Sequence, residues 1–174
     1  MEGFVTFASP LYIACTAALA AARGMDFLST YIATPNLVLE ANPIARWLGW
    51  KAGIIVNLVV VLLLGMWPLP AIVFTTTSFL VAARNLQGAW MMRAMGEHRY
   101  RAWISECLEA TPRALFAFCL FMQCFLVALV GAALLWLAPD RLVAVGVGAG
   151  MISYAVAVLV FTCLSTWRFW RRGA

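Results

Sequence analysis

Arg23 and Asp26 stand three residues apart inside the segment RGMDFLSTYIATPNLVLEANP, with Glu40, Asn42 and Pro43 close behind. On a helix that spacing puts guanidinium and carboxylate on one face, and Thr30, four residues past Asp26, extends it. A carboxylate held beside arginines in an apolar setting has two uses. It can exchange a proton as a solute moves, or it can share arginines with an anionic ligand. The simpler account is a structural pair in which Arg23 neutralises Asp26 and extends its head toward the interface.

A second group lies in TTTSFLVAARNLQGAW, where Arg84 and Asn85 stand together and Thr77 precedes Arg84 by seven residues. The expectation drawn from these positions is one buried cluster: Arg23 and Arg84 against Asp26, with Glu40 as a fourth member. Charged groups at membrane depth cost at least ~2.5–3.5 kcal/mol each, so they face a bundle interior and are paired. LEANP also reads as helix punctuation. Asn42 is a good N-cap, Pro43 a good first helical residue, and Glu40 suits the start of a helix. Asn57 reads as interhelical glue.

Glu97 and His98 are placed at the mouth of that cluster. Adjacent residues on a helix diverge by about 100°, so the two side chains point apart. His98 is the single histidine. It reads as a solvated interfacial residue, as a proton-transfer group, or as a member of an O/N metal site with Asp26 and Glu40. There is no H-E-x-x-H and no second histidine, so no metal and no cofactor are assigned. No Ser/His/Asp order, phosphate loop or dinucleotide fingerprint stands in its required context, and the catalytic residues stay unknown. The five cysteines form no C-x-x-C, and the odd count supports no disulfide framework.

The elements that position these residues follow from composition. The 174 residues are 65% hydrophobic and 11% charged, and the mean hydropathy is +0.94; soluble domains carry about 25% charged residues. Five apolar runs lie at 9–34, 43–67, 71–92, 114–138 and 142–167, with the second best from residue 52 on. Each is near the ~20 residues a helix needs to cross a bilayer, and only helices satisfy their own backbone there. The fold class is therefore all-α: a five-span transmembrane helix bundle, one integral membrane domain over 1–174. WPLP (67–70) reads as a break before the third run. The polar stretch 95–111 reads as an interfacial helix, and Pro112 as the start of the fourth span. In GVGAG (146–150) the G-x-x-x-G serves either a dimer face or packing within the bundle.

Lysine and arginine set the orientation. Arg46 and Lys51, then Arg93, Arg99, Arg101 and Arg113, then Arg168, Arg171 and Arg172 all fall on one side of a five-span chain, and Arg141 alone on the other. The positive-inside rule makes the rich side cytoplasmic, with the N-terminus out and the C-terminus in. Trp47, Trp50, Trp90, Trp103, Trp167 and Trp170 anchor that side; Trp67 and Trp136 anchor the other. The first run lacks the basic n-region of a signal peptide, since Glu2 is acidic and no lysine or arginine precedes Arg23, and it is read as a retained span. The basic residues cluster at span ends without a stripe free of the membrane. The partners expected are membrane lipids and no nucleic acid.

D-x-x-S-T (26–30) followed by E-x-N-P (40–43) resembles a family of small multi-span prokaryotic membrane proteins of unknown function, over roughly the first 65 residues. In that family an Asp-x-x-Thr-Thr-like helix end leads into a Glu-x-Asn-Pro loop. The resemblance implies that Asp26, Thr30, Glu40, Asn42 and Pro43 act as a unit, with Ser29 standing where threonine is expected. It implies no activity.

The functional expectation is a bacterial inner-membrane protein with a polar cavity open to the cytoplasm. Arg23, Asp26, Thr30, Glu40, Asn42, Arg84 and Asn85 line it, and Glu97 and His98 stand at its mouth. It would bind, and in the fuller form translocate, a small anionic solute or lipid head group. With five spans and no inverted repeat, translocation would require a homodimer or larger complex. Two alternatives compete: an accessory subunit whose charges only pin helices together, and a lipid-modifying enzyme with Glu40 or His98 as base.

Overall fold

The computed structural model describes residues 4–172, with side chains through Trp167. Glu2 and the side chains of Arg168, Trp170, Arg171 and Arg172, used above for orientation and anchoring, lie outside the described residues.

The described residues form six helices: α1 (Pro10–Ala33), α2 (Pro43–Leu64), α3 (Pro68–Met95), α4 (Glu97–Ala110), α5 (Arg113–Leu137) and α6 (Leu142–Arg172). All but α4 are long and apolar enough to cross a membrane. The starts are encoded locally. Ser9 caps α1 by accepting from Tyr12 N, Asn42 caps α2 by accepting from Ile44 N, and a proline opens each of α1, α2 and α3.

Three features differ from the sequence reading. The third span starts at Pro68 instead of residue 71, because Pro68 and Pro70 both fall in a first turn, where the missing N–H has no helical partner to lose. The second span is broken at Gly49, whose φ of 65° and ψ of −173° no helical residue adopts. Only residues 50–64 run on as a straight span, about 22 Å long. Pro112 precedes the first residue of α5 instead of starting it.

The helices pack in two groups that share α3. α1 lies parallel to α3 with a constant offset: Arg23 meets Ser78 and Thr30 meets Asn85, each 55 residues on. α5 and α6 form a tight antiparallel hairpin. A Cβ on Gly131 or on Gly148 would fall 2.6 Å from the other's carbonyl oxygen, so the two backbones touch through missing side chains. α6 then lies along α3. Gly146 fits against Ile72, Gly150 against Val73 and Thr76, and Thr77 Oγ1 donates to Gly150 O at 3.0 Å. The G-x-x-x-G is therefore used inside the bundle. A core of Leu120, Cys124, Tyr154, Ala155 and Val158 closes this half, with Leu80 and Val81 of α3 against it. α2 is the peripheral helix; Ile54, Ile55, Leu58 and Leu62 are exposed along it.

Candidate functional site

The polar groups of α1, α2 and α3 meet near mid-span. Arg23 lies fourteen residues into the 24-residue α1, about 20 Å from one end and 15 Å from the other. No side chain spans such distances, so the guanidinium is satisfied where it stands. Its Nη1 donates to Asp26 Oδ2 at 2.7 Å and to Ser78 Oγ at 3.2 Å, and its Nε donates to Asn57 Oδ1 at 2.6 Å. Asn57 turns its amide back to Gly53 O at 2.8 Å. About two turns further along, Asn85 Nδ2 donates to Thr30 Oγ1 at 3.1 Å and to Ser29 Oγ at 3.3 Å, and Ser29 Oγ donates to Asp26 O at 2.9 Å. One network thus ties three helices through side chains from each.

Below this layer α1 stops while α3 runs on. With the 55-residue offset, the end of α1 is level with residue 88, leaving α3 about 10 Å longer at that end. The irregular segment 34–42 fills this step. Irregular backbone at such depth has to find partners within the protein, and Glu97 supplies them. The residue is 8% exposed. It accepts from Thr34 Oγ1 at 2.8 Å, Asn36 N at 2.9 Å, Val38 N at 3.0 Å and Asn36 Nδ2 at 3.1 Å. Thr34 Oγ1 in turn accepts from Leu39 N at 3.1 Å. Burial pushes the Glu97 carboxyl up, but these hydrogen bonds outweigh it and hold it below the ordinary glutamate range. Gly96, with φ 77°, makes the turn that swings Glu97 inward. Trp50 pins the same segment from α2, donating to Pro35 O at 2.8 Å and meeting Phe27 and Tyr31 edge-on.

The structure brings some of the expected residues together and separates others. Arg23, Asp26, Thr30 and Asn85 join in one network. Glu40 lies close enough to Asp26 for its charge to act there, while its Oε1 accepts from Asn42 N at 2.7 Å. Asn42 and Pro43 start α2. Glu97 faces the 34–39 segment and His98 is exposed on α4, so the two do not flank a common opening. Among the described residues no three His, Cys, Asp or Glu side chains are grouped to hold a metal ion.

Arg84 is the member the structure sets apart. Ser78 and Asn85, seven apart, face α1. Thr77 and Arg84, also seven apart and one residue earlier, are turned about 100° away, toward α6 and α5. Leu80 and Val81 of this face meet the core of the α5–α6 hairpin, and the Arg84 charge acts on Cys124 of α5. Asp26 is thus paired, among the described residues, with Arg23. Among the described residues the buried Arg84 Nη1 has no hydrogen-bond partner.

Several contributors fell outside the expected site, among them Asn57, expected only as interhelical glue, and Asn36. Ser29 and Ser78 complete the network, and Thr34 the Glu97 clamp. The seven-residue spacing of Ser78 and Asn85 was a readable signal. Nothing in the sequence linked Thr34 to Glu97, 63 residues away.

Comparisons with family models, with curated proteins and with solved structures find no match to this chain. What the fold and the polar layer define is a class: a multi-pass, all-helical membrane protein.

Proposed function

We propose that this protein binds an anionic group, a lipid head group or a small solute of the same charge, along the seam where α3 meets the α5–α6 hairpin, with Arg84 as its anchor. One observation carries the reading: a guanidinium at membrane depth whose Nη1 is buried and unpartnered among the described residues. Arg23 is engaged by Asp26, Asn57 and Ser78, and Glu97 by the 34–39 segment. No ion pair to Arg84 is present among the described residues, and on this proposal its counter-charge comes from outside them. A planar fork of donors suits phosphate or carboxylate.

The setting is a bacterial inner membrane, with the arginine-rich segments on the cytoplasmic side. The bias of Arg93, Arg99, Arg101 and Arg113 against Arg141 supports that orientation. Labelling of Arg99→Cys from the periplasmic side alone would reverse it. The resemblance of D-x-x-S-T … E-x-N-P to a family of unknown function is compatible with this reading and adds no chemistry.

Native mass spectrometry of wild type, Arg84→Gln and Asp26→Asn tests the site. The expected result is a defined anionic adduct on wild type and Asp26→Asn that is missing from Arg84→Gln, its mass separating lipid from solute. Equal adducts on all three would remove the proposal. An accessory subunit is the second reading, favoured by the same unpartnered guanidinium, which a partner helix's carboxylate would fill; a protein mass in place of a small adduct would mark it. No observation favours the enzyme reading, since His98 is exposed and Glu40 serves the turn at Asn42.

A further inference from the structure

On the opposite side of α3 from Arg84, and toward the other end of the bundle, α1, α3 and α6 leave a cavity of about 300 Å³. That is the lower end of the size range of small-molecule sites. Its walls are small and apolar: Ala14 and Ala18 from α1, Ala71 and Ile72 from α3, and Val147 from α6. Ala14 and Ala18 are exposed, so α1 forms an open rim toward the lipid.

Two wall residues, Thr75 and Thr76, do not fit an apolar void, and Thr75 is the one whose hydroxyl is stranded. Thr75 lines the cavity, and its Oγ1 is buried with no partner among the described residues. A helical threonine ordinarily donates to the carbonyl four residues back. Thr77 does so to Val73 O at 2.9 Å and Thr166 to Thr162 O at 2.8 Å. Ala71 O stands in the same relation to Thr75, and that bond is not made.

Depth identifies the acceptor. α3 has 28 residues, about 42 Å against a hydrocarbon core of ~30 Å, leaving about 6 Å beyond each boundary. Thr75, seven residues from Pro68, then lies about 4–5 Å inside the boundary opposite the basic side. At that boundary a bilayer glycerolipid carries the ester carbonyls that join its acyl chains to glycerol, and a helical side chain leans toward the N-terminal end of its helix, which brings the Thr75 hydroxyl to within about one hydrogen bond of that level. We propose that the cavity seats one acyl chain of a bilayer glycerolipid, entering past Ala14 and Ala18, with its ester carbonyl accepting from Thr75 Oγ1. This site is separate from the Arg84 seam and independent of its charge.

Delipidated protein titrated with two phosphocholine lipids of equal chain length, one diester and one diether, tests it with native mass spectrometry as readout. The expected result is roughly two- to tenfold tighter binding of the diester lipid by wild type, the range of one hydrogen bond. Thr75→Val should bring that ratio to one and Thr75→Ser should keep it. Ala18→Phe, made on the exposed rim, should weaken both lipids. Arg84→Gln should leave the ratio unchanged, which separates this site from the anionic one. A ratio of one in wild type, or a ratio that survives in Thr75→Val, overturns the proposal. So does undiminished binding by Ala18→Phe.

Discussion

Replacing Glu97 with glutamine tests whether one carboxylate holds the 34–39 segment in place. Two oxygens of Glu97 accept four hydrogen bonds, and hydrogen bonds to a charged group are worth about 1.5–3 kcal/mol each. Glutamine keeps one accepting oxygen, which serves either the Asn36 pair or the Thr34–Val38 pair. Its amide nitrogen then faces donors it cannot satisfy. Losing two bonds, stranding one buried N–H and removing the charge from the other two cost at least about 3 kcal/mol by the same scale. Alanine, which removes every acceptor, costs about 3–5 kcal/mol, as for other buried charges that lose their partners. Unfolding in detergent, read by the emission of Trp50, measures the loss beside the segment, because Trp50 donates to Pro35 O. Hydrogen exchange at Asn36, Val38 and Leu39 shows whether the loss is local. The pH dependence carries a sign. The folded Glu97 carboxyl titrates below its unfolded value, so its contribution is complete above the ordinary glutamate pKa of about 4.3 and disappears as pH falls through the lower folded value. Wild type should therefore lose stability on the acid side of about pH 4, and Glu97→Gln should lose less there. A glutamine variant within about 0.5 kcal/mol of wild type, with unchanged exchange at Val38, would refute the clamp.

Two further outcomes follow from the packing. Asp26→Leu leaves Arg23 with only neutral partners at mid-span, so the single change should be less stable in detergent than Asp26→Leu combined with Arg23→Leu; equal melting temperatures would remove the pairing. Gly65 and Gly24 should respond oppositely to alanine. A Cβ on Gly65 would run into Thr16 Oγ1, whereas one on Gly24 meets nothing within 4 Å. Gly65→Ala should destabilise by about 1–3 kcal/mol, and Gly24→Ala should stabilise by about 0.5–1 kcal/mol, both read by thermal unfolding in one detergent.

Apolar run length was enough to find the spans, because a helix that must satisfy its own backbone across hydrocarbon leaves a run of about 20 residues in the chain. The Arg23–Asp26 pair was legible for a related reason: helical spacing decides it within one element. The site residues that the structure places elsewhere were misjudged in relations between elements. Arg84 was assigned to Asp26 because both are charged and at similar depth. Thr77 and Arg84 share one face, and Ser78 and Asn85 the next, about 100° around α3. Only the position of α1 against the second face shows that Arg84 looks elsewhere. Glu97 was placed at a cavity mouth because α4 is polar. Its inward turn depends on Gly96 at φ 77° and on α1 ending about 10 Å before α3, and neither is written in local periodicity. Gly49 is comparable: a glycine inside an apolar pattern is tolerated in a helix, so a break there left no mark.

The remaining issue is the sign of Arg84's effect, which distinguishes a charge kept for stability from one kept for a ligand. Of the side-chain polar atoms buried among the described residues, those without a partner belong to Thr16, Thr75 and Arg84. The two hydroxyls are neutral, and stranding each costs a few kcal/mol at most. A guanidinium with a stranded nitrogen costs more, and among the described residues no interhelical hydrogen bond is gained at that nitrogen in return. If Arg84 served only the bundle, its replacement by glutamine, which is neutral and shorter, would lower thermal stability in every detergent and lipid alike. If it waits for an anion, Arg84→Gln should be as stable as wild type or more so in neutral detergent. It should then be less stable once an anionic lipid is added, because bound ligand stabilises the folded state in proportion to its affinity. The crossing of the two melting temperatures with lipid charge is the result that an ordinary structural arginine would not give.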